Sequence, residues 1–189
     1  MEDKKYASRA GEKLKFALDK FKFTPAGLIC ADFGSSTGGF VDCLLQDGAE
    51  KVYSVDTAYG ELAWKLRNNP RVVVVERTNA MHVTIPEKVD LITIDVGWTK
   101  QESILPNAFN NLKTDGKIIS LIKPHYESPK YLLRKGKLPD DKMNEVLKLV
   151  GQKIEKIGGK IKNIVESPIL GEKGKNREFL TLVVRKEEV

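Results

Sequence analysis

The 189-residue chain carries only two cysteines, two histidines and two tryptophans. It has no apolar run of the roughly 18 residues that a membrane-spanning helix needs. Each scarcity removes a class of protein. Cys30 and Cys43 fall within apolar stretches and read as buried small hydrophobes of a reducing compartment, not as a disulfide. His82 and His125 are isolated, so no zinc cluster or other metal site is expected. The opening Met1-Glu2-Asp3-Lys4-Lys5 lacks the apolar core of a signal peptide, which gives a cytoplasmic expectation and no membrane partner. Repeats, low-complexity tracts and interdomain linkers are absent too. The expectation is one domain over 1–189, with an N-terminal helical segment in 1–25 and a sheet core in 26–189.

What is present describes a globular protein: 41% hydrophobic and 31% charged residues, with a formal charge of +6. The charge is unevenly placed. Residues 1–122 hold 16 basic and 16 acidic side chains, whereas residues 123–189 hold 16 basic against 10 acidic. Within that last third, Ser128–Pro139 contains Lys130, Arg134, Lys135 and Lys137, one tyrosine and no acid. Such a loop suits phosphate contacts, and a positive field favours a polyanionic partner such as RNA. Arg9, on the polar face of the first helix, is a further candidate RNA contact.

The chain is organised around Ala31-Asp32-Phe33-Gly34-Ser35-Ser36-Thr37-Gly38-Gly39-Phe40. Leu28-Ile29-Cys30 before it reads as a strand, and Phe40 to Leu45 after it as a helix. A strand feeding a helix through a glycine-rich turn is how open α/β sheets cradle a nucleotide. The lysine of a phosphate-binding loop is missing, and Ser35-Ser36 interrupt a dinucleotide fingerprint. Asp32 suits a cation better than a pyrophosphate, such as the sulfonium and amino group of S-adenosylmethionine.

Elsewhere, Leu14, Ala17, Leu18 and Phe21 mark a helix over 8–22, with Ser8 as its expected N-cap. Lys51–Asp56, Val72–Val75, Val89–Asp95 and Lys117–Lys123 read as strands, the valine run as one buried on both faces. Helices are expected over 61–67, 104–112 (despite Pro106) and 140–157. Lys160–Glu166 and Glu178–Val184 read as a closing antiparallel pair joined through Gly171–Asn176. This alternation predicts an α/β fold with a mainly parallel sheet covered on both faces. Ligands in such sheets lie outside the carboxyl ends of the strands. There stand Asp32, Asp56, Asn79, Asp95 and Lys123. Asp56, 24 positions after Asp32, is placed to meet ribose hydroxyls in NAD and S-adenosylmethionine sites alike. Asn79 either presents its amide near an adenine or caps a turn. Asp95 and Lys123 form either a reactive pair or a structural ion pair.

Six ordered blocks are more specific. Ser8-Arg9-Ala10-Gly11-Glu12-Lys13-Leu14, Asp32 to Phe40, Glu76-Arg77-Thr78-Asn79-Ala80, Ile94-Asp95-Val96, Leu121-Ile122-Lys123-Pro124 and Asn176-Arg177-Glu178-Phe179-Leu180 resemble the FtsJ-like ribosomal RNA 2′-O-methyltransferases. The resemblance runs from about Ser8 to Arg185 and is nearest to the TlyA-type, haemolysin-labelled branch. It implies a class I, Rossmann-like methyltransferase fold with an antiparallel last strand. It also implies a catalytic tetrad at Lys13, Asp95, Lys123 and Glu178. S-adenosylmethionine would be held by Asp32, Gly34, Ser36, Gly38, Gly39 and Asp56, with Asn79 near the base. RNA, as ribosomal RNA or a ribosomal subunit, is the implied partner. The branch's N-terminal S4-like RNA-binding domain is not in this chain. Val96-Gly97-Trp98-Thr99 and His125-Tyr126-Glu127 replace the usual Val-Ser-Phe and Gln-Phe-Glu beside the reaction centre, and are expected to alter target choice.

Lys123 is the candidate for handling the hydroxyl proton. A free lysine titrates near about 10.4 and is charged at neutral pH. Lys13 and a sulfonium would lower that value, whereas Asp95 and Glu178 would raise it, so the sequence leaves the sign open. The rival readings are an NAD oxidoreductase using His125, a secreted pore-former, and a non-catalytic RNA-binding module. The first needs an acid–base group for hydride transfer, for which His125 is the only candidate near a strand end, and the second lacks a signal and membrane-active segments. The third has no need of a complete tetrad.

Overall fold

The apolar runs pair into one seven-stranded sheet of order β3-β2-β1-β4-β5-β7-β6. The computed structural model describes residues 5–171 and 175–186. The first four residues, where the signal-peptide expectation mostly falls, and part of the Gly171–Asn176 connection lie outside that range. The strands are β1 (Ile29–Phe33), β2 (Lys51–Val55), β3 (Val72–Val75), β4 (Val89–Ile94), β5 (Leu112–Ile122), β6 (Gly159–Glu166) and β7 (Phe179–Arg185). The helices are α1 (Ala10–Phe21), α2 (Gly39–Gln46), α3 (Trp64–Arg67), α4 (Gln101–Asn111), α5 (Pro124–Glu127) and α6 (Asp140–Lys156). β1 to β5 run parallel, while β7 is antiparallel to both β5 and β6. This is the mainly parallel, doubly covered sheet with an antiparallel last strand that the resemblance implies.

Successive strand residues face opposite sides, so each central strand feeds two cores. Cys30, Leu91, Ile119, Leu121 and Leu180 join α1 and α2 residues such as Leu14, Leu18 and Leu44. Phe33, Ile92, Ile94, Ile118 and Ile122 join α4 and α6 residues such as Ile104, Leu105, Val146 and Val150. Cys30 and Cys43 are buried free thiols, as the sequence suggests. Among the described residues no helix is long and apolar enough to cross a membrane.

Four expectations need correction. The valine run is not buried on both faces: β3 is the sheet's edge, and Val73 is 37% exposed. Helix 61–67 contracts to the single turn Trp64–Arg67, packed through Leu66. Arg9, not Ser8, is the N-cap of α1; Ser8 Oγ instead accepts weakly from Ala10 N at 3.3 Å. β5 begins at Leu112, five residues early, with a register irregularity opposite Val89–Leu91.

What the fold does for a site follows from register. The chain leaves β1 for β2 on one side and returns with β4 on the other, so a crevice opens where β1 and β4 end. Phe33 pairs with Ile94, which places Asp32 beside Thr93 and delivers Asp95 just beyond the sheet. Ile122 pairs with Phe179, so Lys123 and Glu178 emerge from neighbouring strands at the same edge.

Candidate active site

Four segments distant in sequence meet at that edge. Lys13, on the second turn of α1, donates from Nζ to Glu178 Oε2 at 2.6 Å. Both side chains are nearly sequestered, at 7% and 5% exposure. Lys123 Nζ lies 2.6 Å from Asp95 Oδ1 and donates to Val96 O at 3.2 Å. An ammonium has three N–H groups. Two are engaged in this way among the described residues. All four tetrad residues line one cavity of about 740 Å³, together with Arg9, Asp32, Gly34, Ser36 and Gly39.

In the ligand-free protein the sign left open by the sequence is positive. Burial acts to lower the Lys123 pKa, but the Asp95 carboxylate, by charge and hydrogen bond, and then Glu178 and Tyr126, outweigh it. The ammonium is held above its ordinary value. Lys13 is itself paired with Glu178. The resting Lys123 is therefore a cation that can donate but not accept a proton.

α1 is fixed by close contact. A Cβ on Gly39 would meet Ser8 Oγ at 2.2 Å and Gly11 N at 2.9 Å, so only glycine lets α1 sit against the start of α2. Asp42 Oδ2 accepts from Ala7 N at 2.7 Å, tying the approach to α1 onto α2.

The glycine-rich turn builds the cavity floor. Gly34 and Gly38 have φ of 86° and 95°, where glycine is favoured. A Cβ on Gly34 would lie 2.5 Å from Asp95 O. Gly38 is the N-cap of α2, and a Cβ there would run into the Leu62 and Leu66 side chains. Ser36 N donates to Asp56 Oδ2 at 2.7 Å, and Ala58 N to Asp56 Oδ1 at 2.8 Å. Asp56 and Asn79 line an adjoining cavity of about 370 Å³ that shares Gly34, Ser36 and Asp95 with the first. Asn79 caps its turn, Oδ1 accepting from Met81 N at 2.9 Å, and the residue borders this cavity.

Asp32 carries the electrostatic signature of the site. Thr93 Oγ1 donates to its Oδ1 at 2.7 Å. Its Oδ2 is buried without a partner. Burial, opposed chiefly by the Thr93 hydrogen bond, pushes its pKa up to about 7. An acceptor so placed on a cavity wall calls for a cation. The donor set thus fits S-adenosylmethionine: an unpartnered carboxylate for its ammonium, a glycine floor, and Asp56 at the neighbouring strand end for its ribose.

The basic candidates lie apart. Lys130, Arg134, Lys135 and Lys137 are exposed and, among the described residues, make no ion pair. Arg134 and Lys137 bridge a two-residue turn with positive φ at Lys135 and Gly136. The segment follows β5, hence the same edge. Sequence reasoning did not single out Trp98 and Tyr126 as site residues, although it noted the segments holding them. Their rings stack, with centroids 4.4 Å apart, beside Lys123.

Comparison with known proteins agrees. The chain is 37% identical over 186 residues to the 16S/23S rRNA (cytidine-2′-O)-methyltransferase TlyA of Mycobacterium tuberculosis, covering 95% of this chain and 69% of that one. It is 41% identical over 184 residues to Hemolysin A of Brachyspira hyodysenteriae, covering 93% and 75%. A solved structure labelled a hemolysin from Streptococcus thermophilus superposes with a TM-score of 0.94 at 32% identity, covering 99% of this chain and 70% of that one. Residues 6–183 match a family described as FtsJ-like methyltransferase. The chain belongs to the FtsJ-like methyltransferase family.

Proposed function

We propose that this chain transfers the methyl group of S-adenosylmethionine to a ribose 2′-hydroxyl of ribosomal RNA. The observation that carries the reading is the meeting of two ion pairs, Lys13–Glu178 and Asp95–Lys123, on the cavity that also holds the unpartnered Asp32. The relatives' names specify cytidine, which makes it the first nucleoside to test.

S-adenosylmethionine, when bound, supplies an electrophilic methyl carbon on a sulfonium. The residues of the chain align the acceptor. Lys123 offers its third N–H to the 2′-oxygen and holds it in place, and Asp95 keeps the ammonium aimed and charged. Because Lys123 is protonated at rest, it stabilises negative charge developing on the oxygen instead of removing the proton beforehand. The hydroxyl proton would leave late, as the oxygen takes up the methyl group, and Asp95, 2.6 Å from Lys123 Nζ, would be the neighbouring acceptor. Lys13 and Glu178 neutralise each other and wall the cavity. Alignment of this kind accounts for a large part of the acceleration of a single in-line displacement.

Calorimetric titration with S-adenosylmethionine, with NAD as control, tests the pocket. Radiolabelled methyl transfer to ribosomal RNA and to isolated subunits, mapped to the 2′-position, tests the acceptor. Binding of NAD but not the sulfonium by the folded protein would overturn the reading.

A further inference from the structure

The four exposed aromatic side chains among the described residues are Tyr59, Trp64, Trp98 and Tyr131. Each stands on a segment leaving the carboxyl end of β2, β4 or β5, the edge that carries the cavity. Trp98 is the most unusual. Its side chain is 84% exposed, yet its backbone sits at φ 59°, the left-handed region that a bulky residue occupies only under strain. That conformation lays the indole on Tyr126 at a 27° interplanar angle. Tyr126 in turn lies with its ring centroid 5.9 Å from Lys123 Nζ. One indole face is therefore covered and the other open, and the ring that covers it neighbours the group that would hold the acceptor oxygen.

The platform is held from below. Glu127 Oε1 accepts from Gln101 N at 2.9 Å, tying the end of the Trp98 loop to the segment that carries Tyr126. His125 packs against the same tyrosine, with ring centroids 4.1 Å apart. Around Gly97 a Cβ would meet nothing within 4 Å, so the space beside the loop is open. An exposed indole buries no apolar core, and the strain of its backbone is not repaid by packing. A flat π-surface of this kind is what unstacked nucleobases bind.

We infer that Trp98, backed by Tyr126, is the stacking platform for the base of the acceptor nucleotide, fixing the ribose over Lys123 once that base has left its own stack. This rests on the RNA-methylating reading above. It makes Trp98 a positioning residue that sets which unpaired nucleotides the enzyme accepts.

The test uses the full chain. Trp98→Ala should leave S-adenosylmethionine binding unchanged and raise the KM for ribosomal RNA about ten- to a hundredfold, with Trp98→Phe restoring most of the loss. The chain's only other tryptophan is Trp64. In a Trp64→Phe background, Trp98 emission should fall saturably on titration with a short single-stranded oligocytidylate. An abasic strand of equal length should not quench it. A Trp98→Ala enzyme with KM and kcat within about twofold of wild type overturns the inference while leaving the methylation reading intact. If wild type binds the cofactor but methylates no ribosomal RNA, the methylation reading fails on its own. The emission titration then decides the stack: quenching by the base-bearing strand alone supports it, and no quenching overturns it.

Discussion

Asp32→Asn separates the electrostatics of the cofactor pocket from its shape. The Asp32 carboxyl is pushed by burial up to about 7, from an ordinary 3.8. At about 1.36 kcal/mol per unit, holding it charged without a cation costs about 4 kcal/mol. The folded state binds this proton more tightly than the unfolded one. Its stabilising contribution is therefore complete below about pH 4 and is lost as pH rises through about 7. Asparagine keeps the acceptor for the Thr93 hydroxyl but cannot ionise. Its Nδ2 would stand where Oδ2 has no partner, at a cost of about 1–3 kcal/mol. At pH 8 the ligand-free variant should therefore be more stable than wild type by about 1–3 kcal/mol, and at pH 4 less stable.

Cofactor affinity should move the other way. In wild type the bound ammonium requires an ionised Asp32, so binding at pH 6 should be about tenfold weaker than at pH 8 and should release a proton. In Asp32→Asn binding should be weaker at pH 8 and nearly flat across that range. Denaturant melts of the ligand-free proteins at pH 4, 6 and 8 read the first effect. Calorimetry in two buffers of different ionisation enthalpy reads the second. A wild-type affinity that is flat from pH 6 to 8, together with a variant no more stable at pH 8, would refute the assignment of Asp32 as the cation's partner.

Lys123→Ala should abolish methyl transfer in the radiolabel assay while S-adenosylmethionine affinity stays within a few-fold, since Lys123 serves the acceptor; loss of cofactor binding would point to a structural role. Lys13→Ala leaves the Glu178 carboxylate buried and unpaired and should lower stability by about 3–5 kcal/mol in denaturant melts; the double change Lys13→Met, Glu178→Leu should recover most of that stability but not the activity. Gly39→Ala drives a methyl group into Ser8 Oγ and Gly11 N, and should cost about 1–3 kcal/mol in the same melts and slow transfer by displacing Lys13. Replacing Lys130, Arg134, Lys135 and Lys137 together by alanine should weaken RNA binding and flatten its dependence on salt in filter binding, with cofactor affinity unchanged.

The strands and their acidic ends were legible because a strand buried on both faces writes a continuous apolar run, and a polar residue closing that run marks the edge where ligands collect. The same rule misled at Val72–Val75. Four valines carry no record of how many neighbours the strand has, and β3 has only β2 beside it. Gly38 shows a second limit: that this glycine is also the left-handed N-cap of α2, leaving room for Leu62 and Leu66, is not written in the motif.

What the sequence withheld at the site is a matter of register and competing fields. Lys13 and Glu178 are 165 positions apart. Neither belongs to a periodic pattern that marks it as functional, and their pairing exists only because α1 is pressed onto α2 while β7 lies beside β5. The charge of Lys123 depended on distances. Burial and a nearby lysine would have made it a base, but Lys13 faces Glu178 and the Asp95 carboxylate lies 2.6 Å away. Attraction at that range outweighs the desolvation of a side chain that still touches the cavity. Of the two charge states that the sequence leaves open for Lys123, the ion pair with Asp95 therefore favours the ammonium, the state suited to orienting an acceptor oxygen.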